Sequence, residues 1–193
     1  MDKKMNENST SKTKHFVVLT LVLFIFWVLL SGKLQPKYLI IGFASAAIAS
    51  WITLPLLRLP AANGKGFFYA FDFPYAKYFT YWFWLLKEII KANIDIALVV
   101  LNPKLPINPR MIRFKMPMAN PIAHVTLANS ITLTPGTITV DVEDGVYTIH
   151  ALTDGAGDAL LPEKDGGEMQ VKVAKVFNEE AGSLASVQKG EAV

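Results

Sequence analysis

Four ionisable side chains, Lys87, Glu88, Lys91 and Asp95, interrupt an otherwise apolar stretch, YFTYWFWLLKEIIKANIDIALVVL at 78–101. Lys87, Lys91 and Asp95 are spaced i, i+4 and i+8, and Glu88 stands three residues before Lys91, so a helix brings all four to one side. Ile89, Ile90, Ala97 and Val100 fall toward the other. Two arrangements suit this pattern. One is an interfacial amphipathic helix with its charged stripe in water. The other is a membrane-embedded helix whose ionisable groups pair with each other or with a partner chain. An ionised side chain at bilayer depth costs about 2.5–3.5 kcal/mol on insertion scales, so an embedded helix without partners is disfavoured.

Elsewhere the residue types for chemistry are missing or wrongly spaced. There is no cysteine, which removes disulfides, thiolate nucleophiles and cysteine-based metal sites. His15, His124 and His150 are far apart, and none has a partner at metal-ligand spacing. Thr132, Thr134 and Thr137 surround Pro135–Gly136 in NSITLTPGTITV, 129–140, and could offer hydroxyls and a backbone amide at a strand entrance. A phosphate loop would need several glycines and a lysine, and a hydroxyl nucleophile would need an oriented base. The motif therefore reads first as a helix stop and strand start, and second as a contact surface for a partner. Asp154, Asp158, Glu163 and Asp165 lack the spacing of a calcium loop and read as a mobile acidic loop. No catalytic residue, metal site or cofactor site is expected, and the chain is not expected to be an enzyme.

Charge is segregated along the 193 residues. Residues 102–120 hold Lys104, Arg110, Arg113 and Lys115 and no acid, whereas residues 137–193 are strongly acidic. That balance argues against nucleic-acid binding, which needs a sustained basic field. The basic stretch suits a juxtamembrane collar facing anionic lipid heads.

The elements that must position these residues follow from hydropathy. FVVLTLVLFIFWVLL at 16–30, flanked by Lys14 and Lys33, is long enough with its following Ser31 and Gly32 to cross a bilayer. YLIIGFASAAIASWITLPLL at 38–57 carries no charge and is rich in small residues, Gly42, Ala44, Ser45, Ala46, Ala47, Ala49 and Ser50, which permit close helix contact. The short connection containing Pro36 predicts a transmembrane hairpin over 16–57. Lysines in the 1–15 tail, together with the basic residues beyond 57, place both termini in the cytoplasm by the positive-inside rule. Residues 58–77 form a connector and 78–101 the third, amphipathic or membrane-embedded helix.

Pro103, Pro106 and Pro109 end that helix. Beyond them a cytoplasmic domain over 102–180 is predicted. Alternation in MIRFKMP, 111–117, sets Ile112, Phe114 and Met116 against Arg113 and Lys115, the signature of a half-buried strand. A helix over 121–133 begins at Pro121. TITVDV, 137–142, and VYTIHAL, 146–152, are strands joined by a three-residue loop, Glu143–Asp144–Gly145. A second helix covers 168–180, and residues 181–193 are expected to be disordered. The order strand, helix, strand, strand, helix gives a small α+β sandwich, so the fold class is an α+β membrane protein with an N-terminal helical hairpin.

Two runs, KEIIKANIDIALVVLNPKLPINP at 87–109 and LANSITLTPGTITVDV at 127–142, closely resemble the E subunit of the bacterial multisubunit sodium/proton antiporter, the Mrp, Mnh or Pha family. The resemblance covers about residues 16–180. It implies an accessory, non-catalytic subunit of the cell membrane that supports assembly and transport, with the other antiporter subunits and the lipid bilayer as partners. Signature residues carried over are Lys91, Asn93, Pro103, Asn129, Thr132, Thr134, Pro135, Gly136 and Thr137. The N-terminal tail, GKGFF at 64–68 and the extended C-terminus depart from the family pattern. Lys87, Glu88, Lys91 and Asp95 are the candidate interface or ion-path residues: direct transfer requires that they face a hydrated cavity, whereas a scaffold role requires only pairing across an interface. The alternative reading is a membrane-anchored adaptor whose cytoplasmic domain binds a protein partner.

Overall fold

The computed structural model describes residues 2–62, 64, 66–69, 74–161, 167–179 and 185–186. The chain divides into two units, Met1–Leu59 with Tyr69–Phe71, and Pro60–Phe68 with Asp72–Val193.

The first unit is built on α1 (Asp2–Ser31) and α2 (Pro36–Thr53). Gly32, at a φ of 60°, ends α1 in the left-handed region that glycine tolerates. Pro36 then starts α2 at a position where its missing N–H costs nothing. The chain turns back between them, and the two helices pack on each other. Gly42, Ala46 and Ser50 form the buried side of α2. A methyl group at Gly42 would collide with the Trp27 indole. Phe24 and Phe43 meet edge to face at 5.7 Å. Ser50 spends its hydroxyl on the carbonyl of Ala46 at 2.8 Å, so the stripe of small residues stays polar-satisfied while allowing close approach. Among the described residues, Lys12–Ser31 is the helix long and apolar enough to cross a membrane, with a mean hydropathy of 2.2. The helix continues back from it to Asp2, where a separate tail was expected over 1–15. α2, at 18 residues, includes Pro36 and Lys37 and a centre rich in alanine and serine, which lower its hydropathy.

Two short strands, β1 (Arg58–Pro60) and β2 (Phe67–Tyr69), pair in the stretch expected to be a plain connector. The helix that follows, α3 (Tyr75–Leu101), starts three residues before the predicted position. It runs for 27 residues, about 40 Å at the α-helical rise.

The second unit holds a four-stranded sheet in the order β4-β5-β3-β6. Its elements are β3 (Arg110–Lys115), α4 (Pro121–Leu133), β4 (Thr137–Glu143), β5 (Val146–Ala151), α5 (Asp154–Asp158), α6 (Glu168–Phe177) and β6 (Ala185–Ser186). Alternation in β3 buries Ile112 and Phe114 while Met111, Arg113 and Lys115 stay exposed. β5 repeats the pattern with Tyr147, Ile149 and Ala151 inside. The antiparallel register sets Phe114 opposite Tyr147, and their rings stack at 5.0 Å. Leu127 and Ile131 of α4, Val173 and Phe177 of α6, and Tyr81 and Leu85 of α3 complete this core. α4 is capped by Asn120, whose side-chain oxygen accepts from the Ile122 amide at 2.9 Å. The Glu179 carboxylate accepts from the amides of Ala119 and Asn120 at 3.2 and 2.9 Å, tying the end of α6 to the start of α4.

Several sequence expectations change in this unit. The β4–β5 connection is a two-residue turn, because Glu143 pairs with Val146 inside the ladder. Asp144 and Gly145, at φ 48° and 77°, supply the paired left-handed conformation that a tight hairpin turn needs. The acidic stretch contains a short helix, α5, with Thr153 accepting from the Ala156 amide at 3.3 Å. Arg110 holds this turn through the Asp154 carbonyl at 3.0 Å and an ion pair with Asp158. Glu163 and Asp165 lie outside the described residues. Ala185–Ser186 pairs with Phe114–Lys115 as β6, inside the tail expected to be disordered. α6 stops before the expected residue 180, because Asn178 takes a left-handed φ of 55° as its cap.

Candidate functional site

α3 carries the candidate ionisable residues, and its periodicity divides it into three strips. The strip packed on the rest of the unit includes buried Tyr81 and Leu85, with Tyr78, Trp84 and Ile89 half-buried beside them. Tyr81 donates its hydroxyl to Ser130 Oγ at 2.7 Å, and burial pushes its pKa up to about 12. The strip facing away is apolar and exposed along the helix, from Phe79 and Phe83 through Ile90 and Ile94 to Leu98 and Leu101, which is 77% exposed. Between these strips runs the polar flank. Lys87, Lys91 and Asp95 are exposed and Glu88 is half-buried. Among the described residues none of the four lies within ion-pair distance of another charged group. Asn93 donates its amide to the Ile89 carbonyl at 2.8 Å, one turn back along the helix. Pro103 follows the α3 terminus in an exposed position.

The second group of signature residues forms the α4–β4 junction. Thr134 caps α4 and donates to the Ser130 carbonyl at 2.9 Å, while Thr132 donates to that of Ala128 at 2.9 Å. Thr137 is buried and donates to the Ile131 carbonyl at 2.7 Å. The Ser130 and Ile131 carbonyls also accept from the Thr134 amide, each at 3.2 Å, so these hydroxyls add second bonds that tie the last turn of α4 to the start of β4. Asn129 is exposed and Pro135 half-buried. Gly136 has a φ of 92°, and a methyl there would lie 2.9 Å from Ile96 Cδ1 of α3. The junction and the polar helix are thus in direct contact through Gly136 and Ile96.

The two histidines of the second unit have different surroundings. His124 Nδ1 lies 2.7 Å from the Tyr147 hydroxyl, and its Nε2 lies 3.0 Å from the Met118 carbonyl, which fixes the ring between α4 and the sheet. His150 sits half-buried on the other face of the sheet, between Ile138 and Met111 in register. Neither histidine adjoins a carboxylate set, and no metal-ligating cluster occurs among the described residues.

A helix long and apolar enough to cross a membrane is thus followed in the same chain by an α+β unit that keeps an apolar helical strip exposed. Comparison with known proteins makes this specific. Residues 20–176 match the family model of the Na+/H+ ion antiporter subunit, MNHE. The E1 subunit of the Na(+)/H(+) antiporter of Staphylococcus haemolyticus is 31% identical over 69% of this chain and 79% of its own length. The corresponding subunit of Staphylococcus saprophyticus is 29% identical over 84% of this chain and 94% of its own. Among solved structures, a chain of the membrane-bound sulfane sulfur reductase, an archaeal respiratory membrane complex, is 33% identical. It matches with a TM-score of 0.61 over 84% of this chain and 99% of that one. The chain belongs to the family of Na+/H+ antiporter E subunits, and so to the membrane subunits of multisubunit cation/proton antiporters.

Sequence spacing found the polar flank of α3 and the hydroxyl junction. It did not find that the two adjoin, nor the three lysines Lys77, Lys172 and Lys175 that α3 and α6 bring together around one cleft. The last two are spaced i, i+3 on α6, a usable signal, but Lys77 is remote in sequence and joins them only through the fold.

Proposed function

We propose that this chain is an accessory, non-catalytic subunit of a sodium/proton antiporter that supports assembly and transport without itself forming a complete ion path. In this reading α1 and α2 cross the membrane as a hairpin, both termini are cytoplasmic, and the α+β unit is cytoplasmic with α3 lying in the membrane interface. The observation that carries it is the exposed polar flank of α3 beside an exposed apolar strip. An interfacial helix keeps Lys87, Lys91 and Asp95 hydrated while its apolar strip enters the headgroup and acyl boundary. A fully embedded α3 would instead bury charges that have no partners among the described residues, at several kcal/mol. The small-residue stripe of α2 against α1 supports the hairpin. The likeness to a chain of a complex described as a sulfane sulfur reductase supports an assembly role. A subunit whose fold accompanies differently named membrane complexes suits scaffolding better than one specific reaction.

Sodium-dependent proton exchange in everted vesicles tests the reading, with complex yield measured on the same membranes. Lys91→Ala/Asp95→Ala is expected to lower exchange only in proportion to yield. Lost exchange with an intact complex would move this flank into the ion path and defeat the accessory assignment. The adaptor reading predicts that exchange survives removal of the whole subunit.

A further inference from the structure

An open cleft of about 790 Å³ lies between α3 and α6. Its floor is apolar and aromatic, with Trp84, Tyr81 and Val176, and three lysines, Lys77, Lys172 and Lys175, stand around it. The Lys172 ammonium sits 4.9 Å from the centre of the Trp84 ring and pairs with Glu168 at 3.2 Å. Lys77 donates to the neutral Asn178 side chain at 2.6 Å. Neither Lys77 nor Lys175 has an acidic partner among the described residues. The lining carboxylate, Glu179, accepts from the amides of Ala119 and Asn120 at the start of α4, so the lining sets three lysines against one carboxylate. The cleft therefore keeps a positive field over an apolar floor, in a region of the chain that is otherwise acidic.

We propose that the cleft between α3 and α6 holds the anionic headgroup of a phospholipid, with Lys77, Lys172 and Lys175 around the phosphate and the apolar floor under the glycerol and first acyl carbons. This deepens the proposed function, since it rests on α3 lying in the membrane interface. Charge complementarity selects an anion, and the floor selects an amphiphile. A free phosphate would gain from the lysines alone, because the cleft offers it no row of backbone amides of the kind that cradles phosphate. Tryptophan suits the boundary level, where its apolar body and polar edge are both accommodated. On α3 the same flank continues to Lys87 and Lys91, interleaved with Glu88 and Asp95, so the lipid would sit at the start of a charged flank bordering the apolar strip.

The full chain, purified in uncharged detergent with the other antiporter subunits, is measured by native mass spectrometry after equilibration with phosphatidylglycerol, phosphatidylcholine or inorganic phosphate. Retention of phosphatidylglycerol over phosphatidylcholine is expected. A lysine near an anionic lipid contributes about fivefold in affinity. The triple variant Lys77→Gln/Lys172→Gln/Lys175→Gln should therefore lose about a hundredfold in phosphatidylglycerol retention. Lys77→Arg/Lys172→Arg/Lys175→Arg should keep it. Equal retention by the glutamine triple, loss in the arginine triple, or displacement by inorganic phosphate would each overturn the site. Copurification of the other subunits is scored separately: their absence with lipid selectivity intact would refute the antiporter reading, while intact copurification with lost selectivity would refute only the cleft.

Discussion

Replacing Gly136 by alanine isolates what the contact between the α4–β4 junction and α3 is worth. The residue sits at φ 92°, outside the conformations comfortable for an L side chain, a penalty of about 1–2 kcal/mol. The new methyl would also lie 2.9 Å from Ile96 Cδ1. That atom is the end of a flexible side chain, so relief by an off-rotamer shift costs about 0.5–1.5 kcal/mol more. Gly136→Ala should therefore destabilise the second unit by about 1.5–3.5 kcal/mol. Ile96→Val removes Cδ1 and leaves the next contact, Cγ1, at 3.4 Å. In the double variant the steric part should disappear as a coupling of about 0.5–1.5 kcal/mol, while the backbone part remains. Denaturant unfolding of the full chain in neutral detergent, run on all four corners of the cycle, gives both numbers. A Gly136→Ala variant within about 0.5 kcal/mol of the parent, or a cycle with no coupling, would refute the reasoning.

Alkaline pH should weaken the second unit. Burial raises the Tyr81 pKa to about 12 and also raises that of Tyr147, so both favour folding fully below the ordinary tyrosine pKa of about 10 and lose that contribution as pH rises through the folded values. Stability measured from about pH 9 to 12 should fall above about pH 10 by up to about 1.4 kcal/mol per pH unit per tyrosine, and Tyr147→Phe should flatten the slope. An unchanged slope in that variant would remove the assignment. Phe114→Ala, which empties a fully buried site against the Tyr147 ring, should cost about 3–5 kcal/mol in the same measurement. Gly42→Leu should separate α1 from α2 by collision with Trp27 and lower the yield of complex in the membrane; normal yield would show that the hairpin tolerates a wider spacing.

How much of this was legible beforehand depends on whether neighbours in sequence or in space decide each feature. Alternation announced β3 and β5 because one face of each strand is dry, and Ile112, Phe114, Tyr147 and Ile149 are indeed inside. Pro121 and Pro135–Gly136 bracketed α4 because their backbone restrictions act locally. The hairpin turn was read one residue too long, since Glu143 can be strand or loop until its pairing with Val146 is known. α5 was missed for a related reason: two of its five residues are glycine, poor helix formers, and it is held by Arg110 from another strand. On α3 the charged flank followed from spacing, but which apolar strip packs and which is exposed could not, because both are rich in aliphatic and aromatic residues. The lysine-rimmed cleft was invisible for the strongest reason, that Lys77 stands far from Lys172 and Lys175 along the chain.

The sheet ends at β4, an edge strand with Ile138 and Val140 exposed on its outer face. Between Thr139 and Asp141 its register with β5 shifts, leaving Val140 as an extra residue. Such a bulge twists an edge and spoils the even ladder that another strand would need. Asp141 and Glu143 follow it, so an incoming strand would meet carboxylates as well. For a protein confined to a surface, where copies meet far more often than they would when diluted through a volume, this irregularity guards against sheet-to-sheet fusion between neighbours.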